Sequence, residues 1–176
     1  MEKLKLRYLT KEDESAHADF IKEMLDSDGK MIPTAVEFDE SDGSFSRWLE
    51  RTNNEAKGID VTQNRVPASV LFLFRQGDKK ILGAVNIRYK LNDFLLKYSG
   101  NIGYGIAPSQ RRKGYASIML SMTLDICRDL KLEKVLISCN KDNIGSARTI
   151  QKNGGILENE FTDDKGIVRQ RYWIKL

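Results

Sequence analysis

The chain has 176 residues, of which 40% are hydrophobic and 31% charged, with a formal net charge of +4. A chain of this size buries roughly 70% of its unfolded surface, and only 3 prolines interrupt it, so one compact domain over residues 1–176 is expected and disorder is not. Two cysteines and one histidine argue against a disulfide scaffold or a zinc site, and the small positive excess selects no class of partner by itself.

The opening "MEKLKLRYLT" alternates charge with leucine and lacks the apolar core of a signal peptide. No apolar run approaches the ~18 residues of a membrane span, so a cytoplasmic protein without a membrane partner is expected. In "LKLRYL", Leu4, Leu6 and Tyr8 alternate with Lys5 and Arg7, the period of a half-buried strand. Thr10 precedes "KEDESAHADFIKEML", a helix with early carboxylates and an apolar face at Phe20, Ile21, Met24 and Leu25. Thr10 is placed to cap its free N–H groups. His17 lies on this helix, and a surface or half-buried position is expected for it.

Residues 27 to 68 are irregular, with one short amphipathic helix at "FSRWLER" among loop-forming glycines and prolines. Such a segment serves as a binding loop or as a plain connection. "SVLFLFRQGDKKILGAVNIRYKL" reads as a hairpin turning at Gly77–Asp78, with Gly83 marking a bulge. "NIGYGIAP" is a third strand, ended by Pro108. Ala116, Met119, Leu120, Thr123, Ile126, Cys127 and Leu130 then follow helical spacing. "KVLISC" is a short buried strand, expected to run parallel to the strand before that helix. "NIGSARTIQKNGG" forms a last helix closed by glycines, and "ILENEF", "TDDKG" and "IVRQRYWIKL" make a final hairpin. Cys127 and Cys139 fall on apolar segments and read as buried small residues.

The stretch with most chemical content is "YGIAPSQRRKGYA", residues 104 to 116. A strand passing through a tight loop into a helix leaves several N–H groups convergent and unpaired, and the helix dipole adds positive charge, which suits a phosphate. Gly114 permits close approach of the backbone, Ala116 keeps the first turn open, and Arg111, Arg112 and Lys113 add charge at the rim. The alternative is a solvated basic helix start. The stretch is not a Walker A loop, since GxxxxGK[ST] is absent, and not a dinucleotide fingerprint, because the glycines of "GYG" sit on the strand rather than in the turn.

Arg111-x-x-Gly114-x-Ala116 resembles the R/Q-x-x-G-x-G/A signature of the GNAT family of acyl-CoA-dependent N-acyltransferases. The Ile106-Ala107-Pro108 step before it, and Asn143, Ser146 and Gly154 after it, match the family in register. The order of elements agrees end to end, most closely with a poorly characterised bacterial branch. The resemblance implies an α/β fold with a mixed, mostly antiparallel central sheet, flanked by helices and split by one parallel, splayed strand pair. It implies acetyl-CoA as cosubstrate, no metal, and pyrophosphate held by the backbone of 111–116, Tyr115 included. Pantetheine would lie along Tyr104 to Ile106, with an N–H near Ile106 polarising the thioester carbonyl and Asn143 and Ser146 holding the arm. The acetyl group would pass directly to an amine of a small molecule or peptide.

The family tyrosine that protonates the departing thiolate is replaced by Ile150, and no carboxylate lies on the strand of 101–107 to take the amine proton. Tyr104 is the candidate for that task, a packed core tyrosine being the other reading; Tyr98, Tyr172 and Glu37 are further possibilities. An acyl-CoA sensor without turnover is therefore a second reading. Nucleic-acid binding is disfavoured, since no recognition motif accompanies the cations. Glu37, Asp39, Glu40 and Asp42 could draw a cationic amine. A monomer, or a homodimer through the C-terminal hairpin by family analogy, is expected.

Overall fold

A computed structural model describes residues 2–36 and 43–176. The elements run β1 (Leu4–Arg7), α1 (Glu14–Asp28), α2 (Phe45–Ala56), β2 (Ala68–Arg75), β3 (Ile81–Arg88), β4 (Ile102–Ile106), α3 (Tyr115–Asp129), β5 (Lys134–Asn140), α4 (Ile144–Lys152), β6 (Ile156–Thr162) and β7 (Val168–Lys175). Short 3-10 turns precede α1 and α3, and a π-helical turn at Leu95–Ser99 precedes β4.

The fold is α/β, with antiparallel sheets flanked by helices. The strands form two sheets, ordered β1-β2-β3-β4 and β5-β7-β6. In β2, Leu71 and Leu73 face one side while Val70, Phe72 and Phe74 face the other, so both faces are buried and polar alternation is absent. The first face packs on α3 and, with α4 and the second sheet, encloses Met119, Leu120, Cys127, Ile137 and Ile150. The other face is covered by α1 and α2 through Phe20, Met24, Phe45 and Trp48. The register of β2 against β3 shifts beside Gly83, where the bulge was expected. A β-carbon there would come within 2.7 Å of the Gly105 carbonyl oxygen.

Two expectations need correction. First, the parallel ladder between β4 and β5 does not form: among the described residues every strand ladder is antiparallel, and β4 and β5 are joined only by a bridge between Gly100 and Ile137. Asn101 is the reason. Its N–H donates to the Leu136 carbonyl (2.7 Å) and its side-chain Oδ1 accepts from the Leu136 N–H (2.9 Å). Its Nδ2 meanwhile donates to the Arg88 carbonyl at 3.0 Å. One residue thus pins both sheets, and beyond it the strands part.

Second, His17 is fully buried rather than at the surface. Its Nε2 donates to the Val36 carbonyl at 2.8 Å, and its ring lies 4.6 Å from Trp48 and 5.1 Å from Phe45. Burial lowers its pKa, so it is a neutral core residue.

Thr10 stands at the N-cap of the turn that leads into α1, in a capping box with Asp13. Its own N–H (2.8 Å) and hydroxyl (3.0 Å) donate to the Asp13 carboxylate, which also accepts two bonds from Arg7 at 2.7 and 2.8 Å. The Arg7 guanidinium, ahead of the Thr10 bonds, holds Asp13 well below the usual carboxylate range, at about 2. A depressed folded-state pKa contributes stability above the unfolded value, and that stability is lost as pH falls through the folded one. Asp13→Asn is expected to cost about 2 kcal/mol at neutral pH. Urea titrations between pH 4 and pH 2 should show the wild type losing this increment and the variant losing none.

Candidate active site

Where β4 and β5 part, a cleft of about 1010 Å³ opens. Its walls are β4, the end of β5, the starts of α3 and α4, and the loop at Ile32–Thr34. The glycines of "GYG" make room for that loop: a β-carbon at Gly105 would stand 2.1 Å from the Ile32 carbonyl oxygen, and one at Gly103 would touch Pro33 at 3.5 Å. Ile32–Thr34 therefore lies directly on β4.

The register of β4 decides what faces the gap. Ala107 N–H donates to the Leu82 carbonyl and Arg88 N–H to the Asn101 carbonyl, so the odd-numbered residues of β4 bond to β3. Backbone groups alternate along a strand, which turns the N–H groups of Tyr104 and Ile106 toward β5, and β5 is no longer there to receive them. At the far end of β4, Gly114 caps α3 in the left-handed conformation (φ 83°) with no side-chain cap bond. Arg112 is also left-handed, at φ 61°. Alternating backbone handedness of this kind makes an anion-binding concavity. Among the described residues, the N–H groups of 112–116 have no acceptor, because the first bonds of the helix run only from Ser117 and Ile118 to the Gly114 carbonyl.

Most of the residues singled out from the sequence line this cleft: Tyr104, Ile106, Arg111, Arg112, Gly114, Tyr115, Ala116, Asn143 and Ser146. Their roles diverge. Arg111 forms an ion pair with Asp28 and donates through Nε to the Ile106 carbonyl at 3.1 Å, so it clamps the end of α1 to β4. Lys113 is not part of the lining and donates to Gln110 Oε1 at 3.1 Å. The Tyr115 hydroxyl is committed away from the loop, donating to Glu2 at 2.7 Å and accepting from Arg75 at 3.0 Å. Of the loop's three cations, only Arg112 has neither an ion-pair nor a hydrogen-bond partner among the described residues.

Asn143 caps α4, its Oδ1 accepting the Ser146 N–H at 3.0 Å, which leaves its Nδ2 without a partner among the described residues. The Tyr104 hydroxyl lies 3.0 Å from Ser146 Oγ. Burial pushes this phenol up to about 12, so it keeps its proton at neutral pH and is unsuited to removing one from an amine. Tyr98 also lines the cleft and donates to Asp164 at 3.1 Å, whereas Tyr172 is buried and bonds Gln170. Ile150 is fully buried in the core. Glu37, Asp39, Glu40 and Asp42 lie outside the described residues.

Sequence reasoning missed Arg88, Ser138, Cys139 and Thr149, all of which line the cleft. Arg88 and Cys139 end apolar strands, and a polar or titratable residue at the end of a buried strand was the signal available. Among the described residues no group of His, Cys, Asp and Glu could hold a metal ion, and no helix is long and apolar enough to cross a membrane.

No curated protein matches the sequence. Several solved structures share the fold at low identity. The ribosomal-protein-S5-alanine acetyltransferase of Vibrio fischeri is 16% identical with a TM-score of 0.73, covering 99% of this chain and 94% of that one. The microcin C7 self-immunity acetyltransferase MccE, in complex with acetyl-CoA and AMP, is 20% identical with a TM-score of 0.68, covering 100% and 94%. A spermidine N-acetyltransferase SpeG chimera from Vibrio cholerae and hSSAT is 20% identical with a TM-score of 0.65, covering 98% and 95%. The family model for the acetyltransferase (GNAT) domain matches residues 3–156. A match over that much of the sequence, on a fold whose two sheets part at a cleft, means that the chain belongs to the GNAT acetyltransferase family.

Proposed function

We propose that the protein transfers an acetyl group from acetyl-CoA directly to an amine. The observation that carries this reading is the row of N–H groups unpaired among the described residues, from Tyr104 and Ile106 on β4 to residues 112–116 at the start of α3. Donors of this kind fit a ligand with amide, carbonyl and pyrophosphate oxygens in sequence. The 112–116 cradle holds the pyrophosphate, the free Nδ2 of Asn143 serves the pantetheine arm, and acetyl-CoA supplies an activated thioester.

The chain's own residues then do three things. The Ile106 N–H donates to the carbonyl oxygen as negative charge grows there, a contribution of about 3–4 kcal/mol for a preorganised donor. The cleft holds both reactants side by side, replacing a bimolecular encounter. The Tyr104 hydroxyl donates a hydrogen bond to the departing sulfur without losing its proton, since a phenol at about 12 is a weaker acid than a free thiol near ~8.5. A covalent acetyl-enzyme is disfavoured: burial raises the pKa of Cys139, the thiol in the cleft, and so suppresses the thiolate.

The test is thiol release from acetyl-CoA against a broad amine panel, paired with calorimetry of CoA binding. Transfer to no amine would refute the reading. Tyr104→Phe is expected to lower kcat by roughly 10- to 100-fold, the worth of a hydrogen bond to a charged group, with little change in the KM for acetyl-CoA. Asp28, the carboxylate lining the cleft among the described residues, is tied to Arg111. The rate should therefore rise with pH as the neutral fraction of the acceptor amine does, in wild type and Tyr104→Phe alike; a limb lost in the variant would make Tyr104 the base.

Acyl-CoA sensing without turnover is the second reading. It draws on the burial of Ile150, which leaves the usual proton-donor position inert. CoA binding without thiol release would favour it.

A further inference from the structure

Arg88 ends β3 at the opposite end of β4 from the α3 loop, and its guanidinium lines the cleft. Nη1 donates to the Gly100 carbonyl at 3.1 Å, and among the described residues the guanidinium has no ion-pair partner. Burial lowers its pKa, so the charge is held at a cost. The guanidinium lies beside Gly103, where a β-carbon would stand 3.8 and 3.9 Å from Nη1 and Nη2, and Gly103 is itself part of the cleft wall. Lys30 and Arg169 line the same cleft, whereas the lining carboxylate among the described residues, Asp28, is already paired with Arg111.

A half-buried guanidinium with its fork toward a cavity is a bidentate receptor for a planar anion. The pyrophosphate cradle is not its partner, because it lies beyond the other end of the strand. The strand itself gives the spacing. At about 3.4 Å per residue, Gly103 to Ile106 spans roughly 10 Å, which about three extended residues of a peptide cover.

We infer that the acceptor amine belongs to a molecule that also carries a carboxylate, held by Arg88, so that the substrate class is a short peptide of about three residues, acetylated at its N-terminus. This rests on the acetyl-transfer reading for the fate of the amine, but the anion site can be measured without turnover.

The experiment is calorimetry on the protein saturated with CoA, titrated with matched pairs of N-acetyltripeptides and their C-terminal amides. The acids are expected to bind at least tenfold more tightly than the amides. Arg88→Met should erase that difference while CoA affinity stays within about twofold, and Arg88→Lys, a point charge without the fork, should keep part of it. Equal binding of acid and amide by wild type overturns the assignment, as does a difference that survives in Arg88→Met. A preference for aminoalkyl phosphonates over every peptide acid overturns the carboxylate. Should Arg88→Met fail to fold, the wild-type pairs decide alone. Selective acid binding without acetylation of any amine would sink the transfer reading and leave the Arg88 site standing.

Discussion

Gly114→Asp is expected to lower the affinity for CoA at least a hundredfold while leaving the protein folded. The position combines a left-handed backbone, φ 83°, with space into which a β-carbon projects without meeting any atom within 4 Å. The substitution therefore costs only the conformational penalty, about 1–2 kcal/mol, and aspartate tolerates this region better than most residues. The charge is the larger effect. A carboxylate at the mouth of the 112–116 cradle repels a pyrophosphate by about 3 kcal/mol per contact, taking ~5 Å and an effective dielectric near 20. Calorimetry measures the loss directly. Thermal shift supplies the control: bound ligand at 100 times its Kd adds ~2.7 kcal/mol, an increment the variant should lack. A variant that binds CoA normally would put the pyrophosphate somewhere other than the start of α3.

Gly100→Ala is expected to be the most destabilising single-methyl change in the chain. The residue sits at φ 78° and ψ −169°, a region open to glycine and costing other residues about 1–3 kcal/mol. Its β-carbon would lie 2.2 Å from the Leu136 carbonyl oxygen, an overlap with backbone that cannot turn aside, worth a further ~1–3 kcal/mol. Together these predict a loss of about 2–6 kcal/mol and a Tm lower by roughly 5–20 °C. The functional consequence follows from place. Gly100 and Asn101 join the sheet of β4 to the sheet of β5, and moving them changes the gap that the Tyr104 and Ile106 N–H groups face. Calorimetry should show weaker CoA binding even below the lowered Tm. A Tm within about 2 °C of wild type would mean that the two sheets are held together elsewhere.

Much of this architecture is legible in short-range pattern. Leu4, Leu6 and Tyr8 alternate at period 2, and Met119, Leu120, Thr123 and Cys127 repeat at helical spacing. The bulge at Gly83 and the glycines closing α4 carry their own conformational signals. Gly114 announces the helix start for the same reason, since a positive φ is a property of one residue. His17 was misplaced although it shares a helical face with Phe20 and Met24, because a histidine on an apolar face is equally compatible with exposure until α2 closes over it.

The wall of the cleft around Gly100, Gly105 and Arg88 was illegible for a related reason. Nothing in "GNIGYG" says that Gly105 must clear the Ile32 carbonyl, some seventy residues earlier, or that Asn101 will bond Leu136. Arg111 reads as a phosphate ligand in sequence, and its pairing with Asp28 requires α1 to end beside the loop. Arg88 reads as a polar strand end, and only the chain's path around Gly100 and Gly103 gives it a cavity to face.

By itself, then, the sequence determined the order of elements, the backbone cradle before α3 and the family to which the chain belongs, because these depend on residues within a few positions of one another. Tertiary structure decided the separation of β4 from β5, the retention of the Tyr104 proton and the exposure of the Arg88 guanidinium to the cleft. Each of these depends on which distant groups are brought close enough to pair, or are kept apart from water and from a partner. That proximity is set by the packing of whole sheets and helices, and no local spacing encodes it.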